Sequence, residues 1–196
     1  MQQLFSKSSD WIWLDDTPEV NCYVEFINTF TIVSSDKIKL LISVDGQYAV
    51  YFNGQYVPST QYPDYPFYKA VQQIELKNEN VSSQNELIIQ TLYCGVDSHT
   101  ARHETPGLRF EVWQGDKLLC SSGKLTRARM MSCYQSGPMK NITPQLGAGF
   151  VYKKHRENEW NNSVVVNKEC MFVSRPVNEL VLGDEQNAQL VTHGIF

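Results

Sequence analysis

Long apolar runs are what this chain most plainly lacks. No stretch approaches the roughly 20 apolar residues that a membrane-crossing helix needs, and the opening Met-Gln-Gln-Leu-Phe-Ser-Lys contains no signal-peptide core. A cytoplasmic protein with no membrane partner is therefore expected. Positive charge is also scarce. Lys and Arg number 17 against 21 Asp and Glu, a formal net charge of −4 with no basic stripe, so no nucleic-acid partner is expected. The densest basic run, Lys124-Leu-Thr-Arg127-Ala-Arg129, alternates as the wet face of a strand does. The five cysteines (Cys22, Cys94, Cys120, Cys133, Cys170) are odd in number and widely spaced, with no C-x-x-C. That argues against a zinc site and a disulfide framework, and for reduced, buried thiols. Chemical signatures are missing too. There is no G-x-S-x-G nucleophile elbow, and Gly147-Ala-Gly149 lacks both the third glycine and the following helix of a phosphate loop. No helical period persists for about twelve residues.

What the chain does have is strand pattern. Tyr48, Val50 and Phe52 alternate with Ala49 and Tyr51, and Asn53-Gly54 supplies the two residues that a type I′ hairpin turn requires. The hairpin spans residues 45–57, with Tyr48 and Phe52 expected in the core. Before it, residues 23–33 and 37–44 are rich in aromatic and branched side chains. After it, strands are expected at 70–76, 86–93, 108–113 and 117–120, with short late ones at 164–166 and 169–173. The pattern weakens through 121–154. The predicted fold class is all-β, a two-sheet antiparallel β-sandwich. Residues 1–173 are expected to form the domain. Residues 174–196 read as an exit segment toward a missing downstream domain.

Two long loops interrupt the strands. Residues 58–68 carry three prolines and four aromatic residues, and residues 94–107 carry Asp97, His99, Arg102, His103 and Glu104. His99 and His103 stand four apart, a metal-ligand spacing on a helix, but Pro106-Gly107 places them in a loop where that spacing fixes no geometry. The expectation is ordinary loop polarity. A small enzyme built on Asp97, His99, His103 and Glu104 is the rival. Glycoside hydrolysis needs two carboxyls across a scissile bond. Asp15, Asp16, Asp64, Asp97, Glu104 and Glu111 are candidates, and no pair among them falls in a catalytic motif. The tyrosines of the first loop, Tyr62, Tyr65 and Tyr68, offer faces on which sugar rings stack.

Taken in order, certain pieces resemble a known family. They are Trp11-Ile-Trp13, Tyr23-Val-Glu-Phe-Ile-Asn-Thr-Phe, the Asp45-Gly-Gln-Tyr…Tyr-Phe-Asn-Gly hairpin, Asn85-Glu-Leu-Ile-Ile, Tyr93-Cys-Gly and Pro106-Gly-Leu-Arg-Phe-Glu. Together they resemble the N-terminal β-sandwich region of bacterial α-L-rhamnosidases, over roughly residues 11–196, which implies a jelly-roll, galactose-binding-domain-like form of the sandwich. The resemblance implies a non-catalytic accessory domain of a glycoside hydrolase, supporting or docking on an (α/α)6 catalytic barrel. No catalytic residue of that barrel has a position in this chain. Related modules bind L-rhamnose with Ca²⁺ through loop acids and an aromatic. The matching sugar-binding candidates here are Tyr62, Asp64, Tyr65, Tyr93, Asp97 and His99, with Asp64 and Asp97 as the Ca²⁺ candidates; the family's Asp-Asn pair and Trp are absent. No other cofactor is implied. The alternative is an autonomous carbohydrate-binding module for rhamnose-containing glycans. The expected partners are thus rhamnosides, or the catalytic domain of the same parent chain.

Overall fold

The computed structural model describes residues 4–15, 18–59, 62–77, 81–98, 102–143, 145, 147–154, 158–178, 183–184, 186–189 and 191. Its described residues form an all-β sandwich. One sheet (sheet A) runs in the order β14 (Val164–Val165), β1 (Ile12–Trp13), β8 (Leu108–Gln114), β3 (Ile38–Val44), β6 (Tyr68–Leu76), β15 (Met171–Ser174), with β9 (Lys117–Ser121) also paired to β8. The facing sheet (sheet B) runs β13 (Asn161–Asn162), β10 (Arg127–Met130), β2 (Cys22–Phe30), β7 (Asn85–Tyr93), β4 (Gln47–Phe52), β5 (Gln55–Val57). A small ribbon, β11 (Asn141–Thr143) with β12 (Gly147–Ala148), stands apart.

The period-two pattern explains which faces meet. Ile38, Leu40, Ile42 and Val44 of β3 alternate into the core, joined from sheet A by Ile74, Leu76, Phe110 and Val112. Val24, Phe26, Val50, Phe52, Leu87 and Ile89 come to meet them from sheet B. Trp13 is fully buried between the sheets, its ring 5.6 Å from Phe26 and 5.9 Å from Tyr93. Nonpolar burial of this kind, about 25 cal/mol per Å² of area removed from water, is what holds the two sheets face to face.

The hairpin folds as its residues dictate. Asn53 (φ 49°) and Gly54 (φ 76°) both take left-handed backbone, and Phe52 pairs with Gln55. Asn53 also ties the turn to β7: its Oδ1 accepts from Glu86 N (2.7 Å) and its Nδ2 donates to Asn85 Oδ1 (2.9 Å). Phe52 is core as expected, while Tyr48 is half-buried at its margin and bonds Gln72 of the opposite sheet.

Several boundaries differ from the sequence reading. β2 stops at Phe30 rather than 33, because Gln114 Oε1 takes the N–H groups of Val33 and Ser34 in place of a strand partner. Only the second half of the basic run is strand: Lys124 and Leu125 lie in a turn closed by Thr126 N on Gly123 O. Among the described residues the last strand is Met171–Ser174, shifted toward the C-terminus, and it pairs parallel to β6 while the other described strand pairs are antiparallel. No helix among the described residues is long and apolar enough to cross a membrane.

Candidate functional site

One end of the sandwich gathers its loops around a buried charge cluster. Asp45 follows β3 directly, at the turn into β4. Gly46 makes that turn with φ +102°, and a Cβ there would lie 2.0 Å from Leu92 O. Only glycine fits, so the chain closes tightly and leaves Asp45 buried behind it. Asp45 N donates to Gly107 O (2.9 Å), which brings the loop ahead of β8 alongside. Lys69 sits near the head of β6. It is 2% exposed, and its ammonium faces Asp45 Oδ1 (2.5 Å), Asp64 Oδ1 (2.7 Å) and Glu104 Oε1 (2.9 Å). The Asp45 contact is an ion pair whose angle is poor for a hydrogen bond. Lys168, from the segment between β14 and β15, donates to Asp45, to Glu104 Oε2 (2.5 Å) and to Thr105 O (3.0 Å). Its ammonium also lies over the Trp11 ring, 5.3 Å from the centroid.

Three carboxylates and two ammoniums thus share one nearly dry site, and their protonation follows from it. Burial pushes the Asp45 carboxyl up to about 7, reinforced by its hydrogen bond with Glu104 and opposed by the two lysines. Burial would raise Glu104 as well, but its bonds with Asp45, Lys168 and Lys69 outweigh that and hold it down, at about 2. Asp64 is also raised by burial, against the pull of Lys69. Lys69 is held above the usual lysine range: burial works against its charge, and the Asp45 and Asp64 carboxylates prevail.

Beside this cluster opens a cleft of about 230 Å³, lined among others by Asp64, Lys69, Tyr93, Gly95, Arg102 and Glu104. The sequence candidates divide around it. Asp64 and Tyr93 belong to the cleft. Asp64 spends both oxygens internally, on Lys69 Nζ and on Ala70 N (2.7 Å). Tyr93 is buried and donates its hydroxyl to Glu104 O (2.7 Å). Tyr62 lies apart, with the Arg175 guanidinium 5.7 Å from its ring centroid, and Tyr65 is exposed. Asp97 accepts from His103 N (2.6 Å). His99 lies outside the described residues. Glu104 points to the lysines while Asp97 caps backbone, so these two do not converge as an enzyme built on that loop would require.

Calcium does not suit this set of donors. Ca²⁺ takes six to eight oxygen ligands, but two ammoniums stand where a cation would sit and Asp64 and Asp97 are turned to different donors. Among the described residues no group of three or more His, Cys, Asp or Glu could hold a metal. Sequence reasoning missed Asp45, Lys69 and Lys168. Asp45 read as a hairpin turn residue, and a lysine at a strand edge is ordinarily solvated. The one signal was Lys69 directly ahead of the apolar pair Ala70-Val71.

No protein-family model matches this chain, and no curated protein sequence does. Solved structures do. The GH78 family rhamnosidase of Bacillus sp. GL1 superposes with a TM-score of 0.76 at 16% identity, over 87% of this chain and 20% of that one. The α-L-rhamnosidase of Dictyoglumus thermophilum gives 0.59 at 14% identity, over 85% and 22%. The Streptomyces avermitilis α-L-rhamnosidase complexed with L-rhamnose gives 0.51 at 16% identity, over 79% and 17%. The chain therefore spans about a fifth of the length of these proteins. At these identities the likeness is one of fold: this chain adopts a β-sandwich of the kind found in α-L-rhamnosidases.

Proposed function

We propose that this chain is a non-catalytic accessory β-sandwich of a bacterial α-L-rhamnosidase-like glycoside hydrolase, set N-terminal to a catalytic (α/α)6 barrel that it supports or docks on. The observation that carries the reading is the match of most of this chain to a fifth of such an enzyme. On this reading residues 1–173 make the domain and 174–196 lead toward the next one.

The site geometry supports a structural rather than a catalytic cluster. Glycosidases hold their carboxyl pair about 5–10 Å apart across a sugar. Asp45 and Glu104 instead clasp the same two lysines, with no room for a glycosidic bond between them. The cluster ties the loops at residues 45, 64 and 104 to the late segment at 168. A cytoplasmic setting goes with this reading. The cysteines are thiols, and burial raises Cys22 to about 11 and Cys120 to about 12, keeping both protonated and unreactive.

The test assays the isolated chain on 4-nitrophenyl α-L-rhamnoside and reads the coding sequence beyond Phe196. No turnover and a barrel-encoding continuation are expected. Turnover abolished by Glu104→Gln, or a gene ending at Phe196, would overturn the reading.

A second reading, an autonomous module for rhamnose-containing glycans, draws support from the cleft beside the cluster, where Tyr93 and Arg102 accompany Asp64. Calorimetric titration with L-rhamnose, with and without Ca²⁺, tests it. Absence of heat at millimolar sugar removes it.

A further inference from the structure

The outer face of sheet B carries a groove far from the charge cluster in chemistry. It encloses about 300 Å³, at the small end of ordinary ligand pockets, and none of the described residues lining it is charged. Its floor is the β2–β7–β4 surface, with Tyr23 paired to Leu92 and Leu92 to Gln47. Its wall is the segment after β10, stitched to β2 by Met131 N on Tyr23 O (2.9 Å). Residues 133–135 run antiparallel to 151–153 through Gln135 N on Val151 O (3.0 Å) and Lys153 N on Cys133 O (2.8 Å).

That stitching fixes the rings. Tyr134 stacks on Tyr23 with centroids 4.3 Å apart and planes 14° from parallel, while Phe150 meets Tyr134 edge-on at 6.2 Å. Phe150 is nonetheless 67% exposed. Such a ring, held in place by neighbours but left open to water, keeps apolar area available for a ligand. Polar groups stand alongside. Gln90 Nε2 donates to Glu25 Oε1 (3.0 Å), which anchors that side chain at the groove with its carbonyl oxygen as an acceptor, and Gln47 is exposed on the same floor. Glu25 itself is neutralised by Arg129 at 2.5 Å.

We propose that this groove is a carbohydrate-binding site for an uncharged sugar ring, stacked by its C–H face on Phe150 beside Tyr134 and hydrogen-bonded through its hydroxyls to Gln47 and Gln90. The absence of charge among the described lining residues selects a neutral ligand, and an aromatic face beside primary amides matches a molecule that is apolar on its faces and polar at its rim. This goes beyond the accessory reading and does not rest on it, because the groove binds a sugar whether or not a barrel follows.

The test is an NMR titration of the full ¹⁵N-labelled chain with L-rhamnose, D-galactose, D-glucose and D-xylose, each to high millimolar. At least one sugar should shift residues 47–49, 90–92, 131–134 and 150 together with the Gln47 and Gln90 side-chain amides. Phe150→Ala, at an exposed position, should weaken that affinity about three- to tenfold with an unchanged melting curve. Gln47→Ala should weaken it as well. Silence with all four sugars overturns the proposal, as does unchanged affinity in Phe150→Ala. Shifts confined to residues 93–97 and 102–104 also overturn it, and would support the module reading of the loop-end cleft instead.

Discussion

Replacing Lys69 with methionine keeps the length of the side chain and removes an ammonium that three carboxylates share, at 2.5, 2.7 and 2.9 Å. An ion pair at 2.7 Å, as for Asp64, is worth about 6 kcal/mol at an effective dielectric of about 20, before desolvation is charged against it. Burial cancels much of that gain. What remains on deleting one member of a buried ionic group is a loss of about 3–5 kcal/mol, because three carboxylates are left to Lys168, which pairs with Asp45 and Glu104 while Asp64 loses its ion pair. In a domain of this size 1 kcal/mol moves the midpoint by about 2–4 °C, so thermal unfolding followed by circular dichroism at neutral pH should fall by roughly 6–20 °C. Adding Asp64→Asn should recover part of the loss by removing one stranded negative charge. A drop below about 3 °C, or a double variant no better than the single one, would refute the reasoning. Either result would mean that the acids relax to water instead of depending on Lys69.

Other consequences are equally direct. The Asp45 carboxyl titrates near 7 in the folded chain against 3.8 ordinarily, so it contributes stability that is complete below 3.8 and lost as pH rises through 7. Melting temperature should therefore decline from about pH 5 to pH 8, and Asp45→Asn should flatten that slope; an unchanged slope would contradict the assignment. Gly54→Ala, at φ +76° with nothing within 4 Å of the new Cβ, should cost about 1–2 kcal/mol in urea unfolding. Gly46→Ala, which also drives its Cβ to 2.0 Å from Leu92 O, should cost clearly more, and equal costs would contradict the clash. Glu111 is fully buried and accepts from Ser6 N, Ser6 Oγ, Ser9 Oγ and Trp113 Nε1 at 2.7–2.8 Å. Glu111→Ala should release residues 5–10 to rapid hydrogen exchange while β3 and β6 stay protected. Protection that persists at Ser6 and Ser9 would show that the carboxylate is not their anchor.

The fold was legible wherever side chains alternate between core and water. β3, β4 and β7 could be read directly because Ile38 to Val44, Tyr48 to Phe52 and Leu87 to Tyr93 each commit one face to the interior. Residues 121–154 were not legible, since Gly123, Gly137 and Pro138 break the pattern and the pairing of Tyr134 with Tyr152 is set by distant partners. The same limit applies to the site. Asp64 could be picked from its loop and Tyr93 from the end of β7, where the second loop begins. The ammoniums that give Asp64 its role come from residues 69 and 168, and only the closed sandwich places them together. The groove on sheet B is harder still. Tyr23, Gln90, Tyr134 and Phe150 come from four separate stretches, and nothing in their local sequence announces a shared surface.

Lys168 also bears on the order in which the chain can become stable during synthesis. Until residue 168 has left the ribosome, the cluster holds Asp45, Asp64 and Glu104 against Lys69 alone, an excess of negative charge inside a forming interior. The outer edge of β6 is open at that stage too, because its parallel neighbour β15 begins only at Met171. The same few residues thus reduce the buried negative charge and cap the sheet. A nascent chain halted near residue 160 should be protease-sensitive around β6 and prone to edge pairing, and should gain resistance abruptly once residues 168–174 emerge.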